Sequence, residues 1–179
     1  MIGRRKLIGV GLGLAGSLAA APAAMAFAPS TRRLAFNNLH TGETLDVAYF
    51  ENGVYVGDAL AEVNHVLRDY RTGDVHVIEP KLLDLLTALS ASLDTKARIG
   101  VISGYRSPRT NAMLHQESSQ VASGSLHMLG QAIDIRLPGV DTARLRDAAQ
   151  RLAIGGVGYY PTSDFVHVDI GRVRRWEGS

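Results

Sequence analysis

Cysteine is absent from the chain. Disulfide frameworks, thiolate zinc sites and thiol nucleophiles are thereby excluded. Acidic residues are missing from the first 26 positions, which carry Arg4, Arg5 and Lys6. A long apolar run is missing as well. Residues 7–21 are apolar but contain Gly9, Gly11, Gly13 and Gly16, and they fall short of the ~20 residues that cross a bilayer. The rest of the chain lacks a charge of one sign. Setting the three leading cations aside leaves 16 of the 19 basic residues against 17 acidic ones. No electrostatic footprint for nucleic acid exists there, and no nucleic-acid partner is expected. Neither an internal repeat nor a second domain is legible.

What is present is an ordinary globular composition, 46% hydrophobic and 20% charged over 179 residues, which argues for one folded domain. The basic start, the weakly apolar stretch, Pro22 and the run Ala24-Met25-Ala26 read as a signal peptide over residues 1–26, cleaved after Ala26. Arg4-Arg5-Lys6-Leu7-Ile8 resembles a twin-arginine signal, with Gly3 where Ser or Thr is usual. Export to the periplasm follows, with membrane contact only through an uncleaved leader. Residues 27–179 then form the mature domain, held by its core and without disulfides.

Within that domain the hydrophobic pattern alternates between periods of two and 3.6. Residues 27–33 read as a polar lead-in, and residues 34–56 as strands turning at Thr41-Gly42 and Asn52-Gly53. Asp58 can cap a helix with the stripe Leu60, Val63, Leu67, Tyr70. Pro80 suits the first turn of a second helix carrying Leu82, Leu85, Leu86, Leu89 and Leu93. A strand over residues 97–103 leads to the turn Gly104-Tyr105-Arg106-Ser107-Pro108, which opens a helix to about Glu117. Residues 118–126 read as a Ser/Gly-rich loop, residues 131–137 as a strand, and Asp141 as the cap of a last helix. Two final strands fit residues 156–160 and 165–170. This irregular mixture predicts an α+β fold, a mostly antiparallel sheet packed with helices.

Of six histidines, His40, His65, His76 and His115 read as solvated or hydrogen-bonding side chains. His127 and His167 differ in their surroundings. Along the strand near Asp134, Ile133 and Ile135 share one face, while Gly130, Ala132 and Asp134 share the other. One carboxylate between two tiny residues leaves room for a bulky neighbour or an ion. Along residues 164–169, Phe165, His167 and Asp169 share a face. Two imidazoles and a carboxylate suit Zn²⁺, and three protein ligands leave a fourth position for water. A buried structural His–Asp pairing fits the same spacing.

The run Ser125-x-His127-x-x-Gly130-x-Ala132-x-Asp134 resembles the signature of zinc D-alanyl-D-alanine peptidases. The segments Ser103-Gly104-Tyr105-Arg106-Ser107-Pro108, Gly155-Gly156-Val157-Gly158-Tyr159-Tyr160 and Phe165-Val166-His167-Val168-Asp169 look like the murein endopeptidase K branch of that group. The resemblance spans about residues 35–175. It implies a hedgehog/D-Ala-D-Ala-peptidase-like fold, a zinc peptidase domain over residues 27–179, and Zn²⁺ held by His127, Asp134 and His167. It further implies that Arg106 faces the substrate carbonyl or developing oxyanion and that Ser125 orients His127 or a nearby amide. The wider group places a glutamate three residues before the last ligand. Asp164 stands there, so Asp164 is the expected general base, with Asp169 as rival and His115 as the next candidate.

The implied activity is hydrolysis of peptidoglycan stem-peptide cross-links in wall remodelling, at D-Ala–diaminopimelate or diaminopimelate–diaminopimelate bonds. A non-catalytic metal-containing wall-binding module and a D,D- or L,D-carboxypeptidase are the alternatives.

Overall fold

The computed structural model describes residues 31–118 and 121–178. The leader read over residues 1–26 lies outside them. Eight strands form one sheet, ordered β3-β2-β1-β4-β5-β7-β6-β8. Strand β1 (Thr31–Asn38) turns at residues 39–43 into β2 (Thr44–Glu51), and Asn52-Gly53 turns β2 into β3 (Val54–Tyr55), as the sequence predicts. β1 begins inside the stretch expected to be a lead-in, because Thr31 and Arg32 pair with Glu51 and Phe50.

Helix α1 (Gly57–Val66) ends one turn before the predicted stripe does. Val56 occupies its cap without a side-chain bond, and Asp58 lies in the first turn, where a negative charge meets the helix dipole. Pro80 opens α2 (Pro80–Ser92), and Leu82, Leu83, Leu85, Leu86 and Leu89 are buried along it. Strand β4 (Ile99–Ser103) then leads through the Gly104–Pro108 turn into α3 (Pro108–Glu117), capped by the Ser107 hydroxyl. A 3-10 helix (Leu126–Leu129) precedes β5 (Ala132–Arg136). Asp141 caps α4 (Thr142–Leu152) by accepting from the amides of Ala143 and Arg144. Strands β6 (Gly156–Tyr160), β7 (Phe165–Asp169) and β8 (Arg174–Glu177) complete the sheet.

The fold is α+β, with one correction. The sheet is mixed and not the mostly antiparallel one expected: β1 pairs with β4 in parallel, and β6 pairs with β8 in parallel. The chain from β3 to β4 crosses over through α1 and α2, which returns β4 in the direction of β1. β8 was not foreseen. Its four residues, Arg174-Arg175-Trp176-Glu177, carry no aliphatic alternation, so its strand state comes from pairing with β6.

One face of the sheet builds the core. Leu34, Phe36, Ile99, Val101, Ile133, Ile135, Val157, Val166 and Val168 join the leucines of α2 and Leu145 of α4 in one buried cluster. At about 25 cal/mol per Å² of apolar burial, this cluster is the main favourable term holding the domain. The opposite face at β5, β7 and β6 is free of large aliphatic side chains. Asp134 pairs with His167, and His167 pairs with Gly158, so these three stand in one row across the sheet.

Candidate metal centre

The run 125–134 puts its two ligand candidates on different elements. Ser125 caps the 3-10 helix by accepting from the His127 amide, 3.4 Å away. His127 thus sits on a short turn rather than in the strand. Gly130 ends the turn at φ +65°, in the left-handed region. A Cβ there would come within 2.0 Å of the Val77 carbonyl oxygen, so glycine is required twice over. Two residues on, β5 delivers Asp134 to the face predicted by strand parity.

Three donor atoms converge. His127 Nε2 lies 3.1 Å from His167 Nδ1, His167 Nδ1 lies 2.8 Å from Asp134 Oδ1, and His127 Nε2 lies 3.3 Å from that oxygen. All three residues are buried. Zinc–nitrogen bonds of 2.0–2.1 Å put neighbouring ligands of a tetrahedral ion about 3.3 Å apart, so this triangle fits one ion with a corner left open. The donor set, two imidazoles and a carboxylate, is that of a hard or borderline divalent cation.

Each imidazole is steered by its far nitrogen. His127 Nδ1 is 2.7 Å from the Gly104 carbonyl oxygen, which can only accept, so the proton sits there and Nε2 is left to the site. His167 turns the other way: its Nε2 is 3.0 Å from Asp169, which leaves Nδ1 for the site. Asp169 is fully buried. It accepts from Arg174 at 2.7 and 3.1 Å and from the amides of Gly156 and Gly171. Such outer partners fix ring orientation at metal sites.

Electrostatics follow from burial and pairing. Burial drives the His127 pKa down, against the pull of Asp134. Burial opposes ionisation of Asp134, but the charge and hydrogen bonds of His127 and His167 outweigh it, and its pKa lies below the usual carboxylate range. Burial likewise opposes charge on His167, while bonds to Asp134 and Asp169 outweigh it and raise the pKa. Burial also opposes ionisation of Asp169, and the bonds from His167, Arg174 and the two amides overcome it and depress the value.

A cavity opens over the triangle, lined by Arg106, Ser125, His127, Asp134, Tyr160, Phe165, His167, Arg174 and Trp176 among others. Arg106 reaches Asp134 and Ser103 at 3.4 Å and Asn111 at 3.5 Å. These bonds are long, and its buried Nε has no partner among the described residues. Its backbone amide donates to the His127 carbonyl, so the Gly104–Pro108 turn and the 3-10 helix hold each other.

The chain matches the family model of peptidoglycan L,D-endopeptidase MepK over residues 26–176. The chain belongs to the MepK family. Peptidoglycan L,D-endopeptidase MepK of Escherichia coli K12 is 42% identical over 175 residues, covering 97% of this chain and 96% of the relative. The probable peptidoglycan L,D-endopeptidase MepK of Haemophilus influenzae is 42% identical over 156 residues, covering 87% and 84%. A solved structure, the L-Ala D-Glu endopeptidase ChiX of Serratia marcescens, aligns over 53% of this chain and 68% of its own, with 18% identity and a TM-score of 0.35, too low to inform the fold.

Measured against this MepK-family chain, the expected site residues divide. His127, Asp134, His167 and Arg106 come together, and Ser125 supports His127 as expected. Asp169 comes close too, but on the far nitrogen of His167. Asp164 is not brought to the cluster. It occupies an exposed turn at φ +52°, hydrogen-bonded to Thr142 and 3.5 Å from Arg136, and it does not line the cavity. The turn at Pro161-Thr162-Ser163 swings it toward the start of α4. His115 is exposed, its Nδ1 held by the Val121 carbonyl, and is likewise absent from the lining. Sequence reasoning missed Arg174 and Trp176, which lie beyond the motifs. Their signal was there only in part: Gly156, Gly158 and Tyr160 alternate on one face, and a strand face made of glycine invites a large neighbour.

Proposed function

We propose that the chain is a zinc-dependent peptidoglycan L,D-endopeptidase, exported to the periplasm by cleavage after Ala26, with residues 27–179 as its catalytic domain. Family membership supports the reaction class. The observation that carries the chemistry is the His127–Asp134–His167 triangle of tetrahedral dimensions beside a guanidinium with an unspent N–H. We also read the domain as hedgehog/D-Ala-D-Ala-peptidase-like, on the signature that spans the 3-10 helix and β5.

A Zn²⁺ held by His127, Asp134 and His167 would supply Lewis acidity toward a carbonyl and acidify a water at its open corner. The chain's own residues do the remainder. Gly104 and Asp169 hold the two imidazoles with the correct nitrogen inward. Arg106 donates to the scissile carbonyl oxygen as negative charge develops on it. Asp169 is a positioning residue here rather than a base, because its carboxylate is spent on His167, Arg174 and two amides.

Of the two cross-links considered, only diaminopimelate–diaminopimelate joins an L-configured to a D-configured centre, so that bond is the proposed substrate. Digestion of purified dimeric muropeptides of both types by the zinc-loaded protein tests this. Monomers released from the L,D-linked dimer support it. Release of a single amino acid would reassign the chain as a carboxypeptidase, and release of nothing as a wall-binding module.

A further inference from the structure

The cavity wall carries, besides the Arg106 guanidinium, a hydroxyl donor whose proton has no acceptor among the described residues. Tyr160 lines the cavity with Arg106, His127, Asp134 and His167. Its hydroxyl oxygen is 2.9 Å from Trp176 Nε1. An indole nitrogen can only donate, so the phenol is the acceptor in this bond and keeps its own O–H. No acceptor among the described residues takes that proton.

The phenol is also held in place. Its ring stacks on Phe165, with centroids 4.4 Å apart and planes 15° from parallel. Trp176 is held in turn: β8 pairs Trp176 with Gly158, and a Cβ on Gly158 would come within 2.5 Å of the indole. Glycine at 158 therefore makes the slot that lets the indole lie flat in the row of His167, whose ring centroid is 5.1 Å away. Arg174, the other cation of this wall, is spent on Asp169. The Tyr160 O–H is not. Burial, the largest influence, and the Asp134 charge push its pKa up, so the phenol keeps its proton through the neutral range.

We propose that Tyr160 is a catalytic residue, donating a hydrogen bond to the scissile carbonyl oxygen as it becomes an oxyanion, with Trp176 as the positioning residue that aims it. Tyr160 thus acts beside Arg106, and the pair shares the developing charge. A donor fixed in place beforehand strengthens its bond as charge builds and pays no reorganisation at that moment. The inference rests on the peptidase reading above.

The test compares zinc-loaded wild type, Tyr160→Phe and Trp176→Phe. Turnover of an L,D-linked muropeptide dimer is measured together with zinc content and calorimetric affinity for a phosphinate isostere of the cross-link, which carries the tetrahedral, anionic shape. Tyr160→Phe should lower kcat about 10²-fold with KM within about threefold, and weaken phosphinate affinity by a similar factor at unchanged zinc content. Trp176→Phe keeps the phenol but frees it, and should lower kcat about tenfold. Unchanged kcat in Tyr160→Phe would overturn the proposal, as would equal losses of substrate and phosphinate affinity, the sign of mere ground-state contact. If Tyr160→Phe does not fold or loses zinc, unchanged kcat in Trp176→Phe overturns it instead. A wild type that cleaves no dimer yet binds the phosphinate through Tyr160 sinks the peptidase reading alone.

Discussion

At the scale of single residues, the centre is built from pairs in which one side chain faces the cavity and another fixes its angle. His167 and Asp169 are the clearest case. Asp169→Asn keeps the shape but gives up the carboxylate that accepts from His167 and Arg174. Metal affinity should fall about 10–100-fold, read by competition with a chelator. Retention of wild-type affinity would remove Asp169 from the support of His167. Asp164 gives the opposite expectation. Its carboxylate meets Thr142 and Arg136 in the exposed turn, so Asp164→Asn should leave turnover within about twofold. A loss of 10²-fold or more would restore it as the general base. The expectation for Asp164 came from the family spacing of three residues before the last ligand, and β7 begins only at Phe165, so strand geometry does not aim the Asp164 side chain at the cluster.

At the scale of elements, the short pieces decide the site. The 3-10 helix places His127 opposite β5, and β8 places Trp176 over Gly158. Gly158→Ala inserts a methyl group into the space of the indole. Because β8 is an edge strand of four residues, it should shift rather than the core. The expected result is a destabilisation of about 1–3 kcal/mol by denaturant titration, with Trp176 fluorescence moved toward that of a solvated indole. Trp176 is the single tryptophan of the chain, so its emission reports this edge alone. An unmoved spectrum would mean that the slot is not what seats the ring. The sequence did foretell α2, α3, α4, β5, β6 and β7, because their periodicity and caps are local. β8 lacked a local signal, since its hydrogen bonds come from a strand 18 residues earlier.

At the scale of the whole molecule, stability is coupled to metal and to pH. Without disulfides, the domain relies on its core and on the charges it buries. A metal that binds only the folded state adds about 2.7 kcal/mol at a hundredfold excess over Kd, so chelation should lower Tm by several degrees, and zinc should restore it. A Tm indifferent to chelator would deny a preformed site. Asp69 supplies the acid limb. Burial opposes its charge, but the hydroxyls of Thr110 and Ser107 and the amides of Ser107 and Arg71 outweigh this and lower its pKa to about 2. A depressed folded value gives stability that is full above the unfolded pKa near 4 and is lost as pH falls toward 2. Asp69→Asn should therefore cost on the order of 2 kcal/mol at pH 7 and little at pH 2, measured by urea unfolding at both pH values.

The sequence by itself determined the ligand types, their motif, the α+β class and the face of β5 that carries Asp134, because side-chain alternation and turn chemistry act over a few residues. It could not say which partner each polar side chain of the site would meet. That Asp169 stands behind His167 rather than before it was decided by strand register between β5, β7 and β6, that His127 bonds Gly104 by the docking of the 3-10 helix on the turn after β4, and that Asp164 turns away by the turn between β6 and β7. The crossover through α1 and α2 decided the parallel pairing of β1 with β4, and the pairing of β8 with β6 decided the wall of Tyr160 and Trp176. Register is set by burying Ile133, Ile135, Val166 and Val168 together, a long-range condition that fixes which atoms meet on the opposite face.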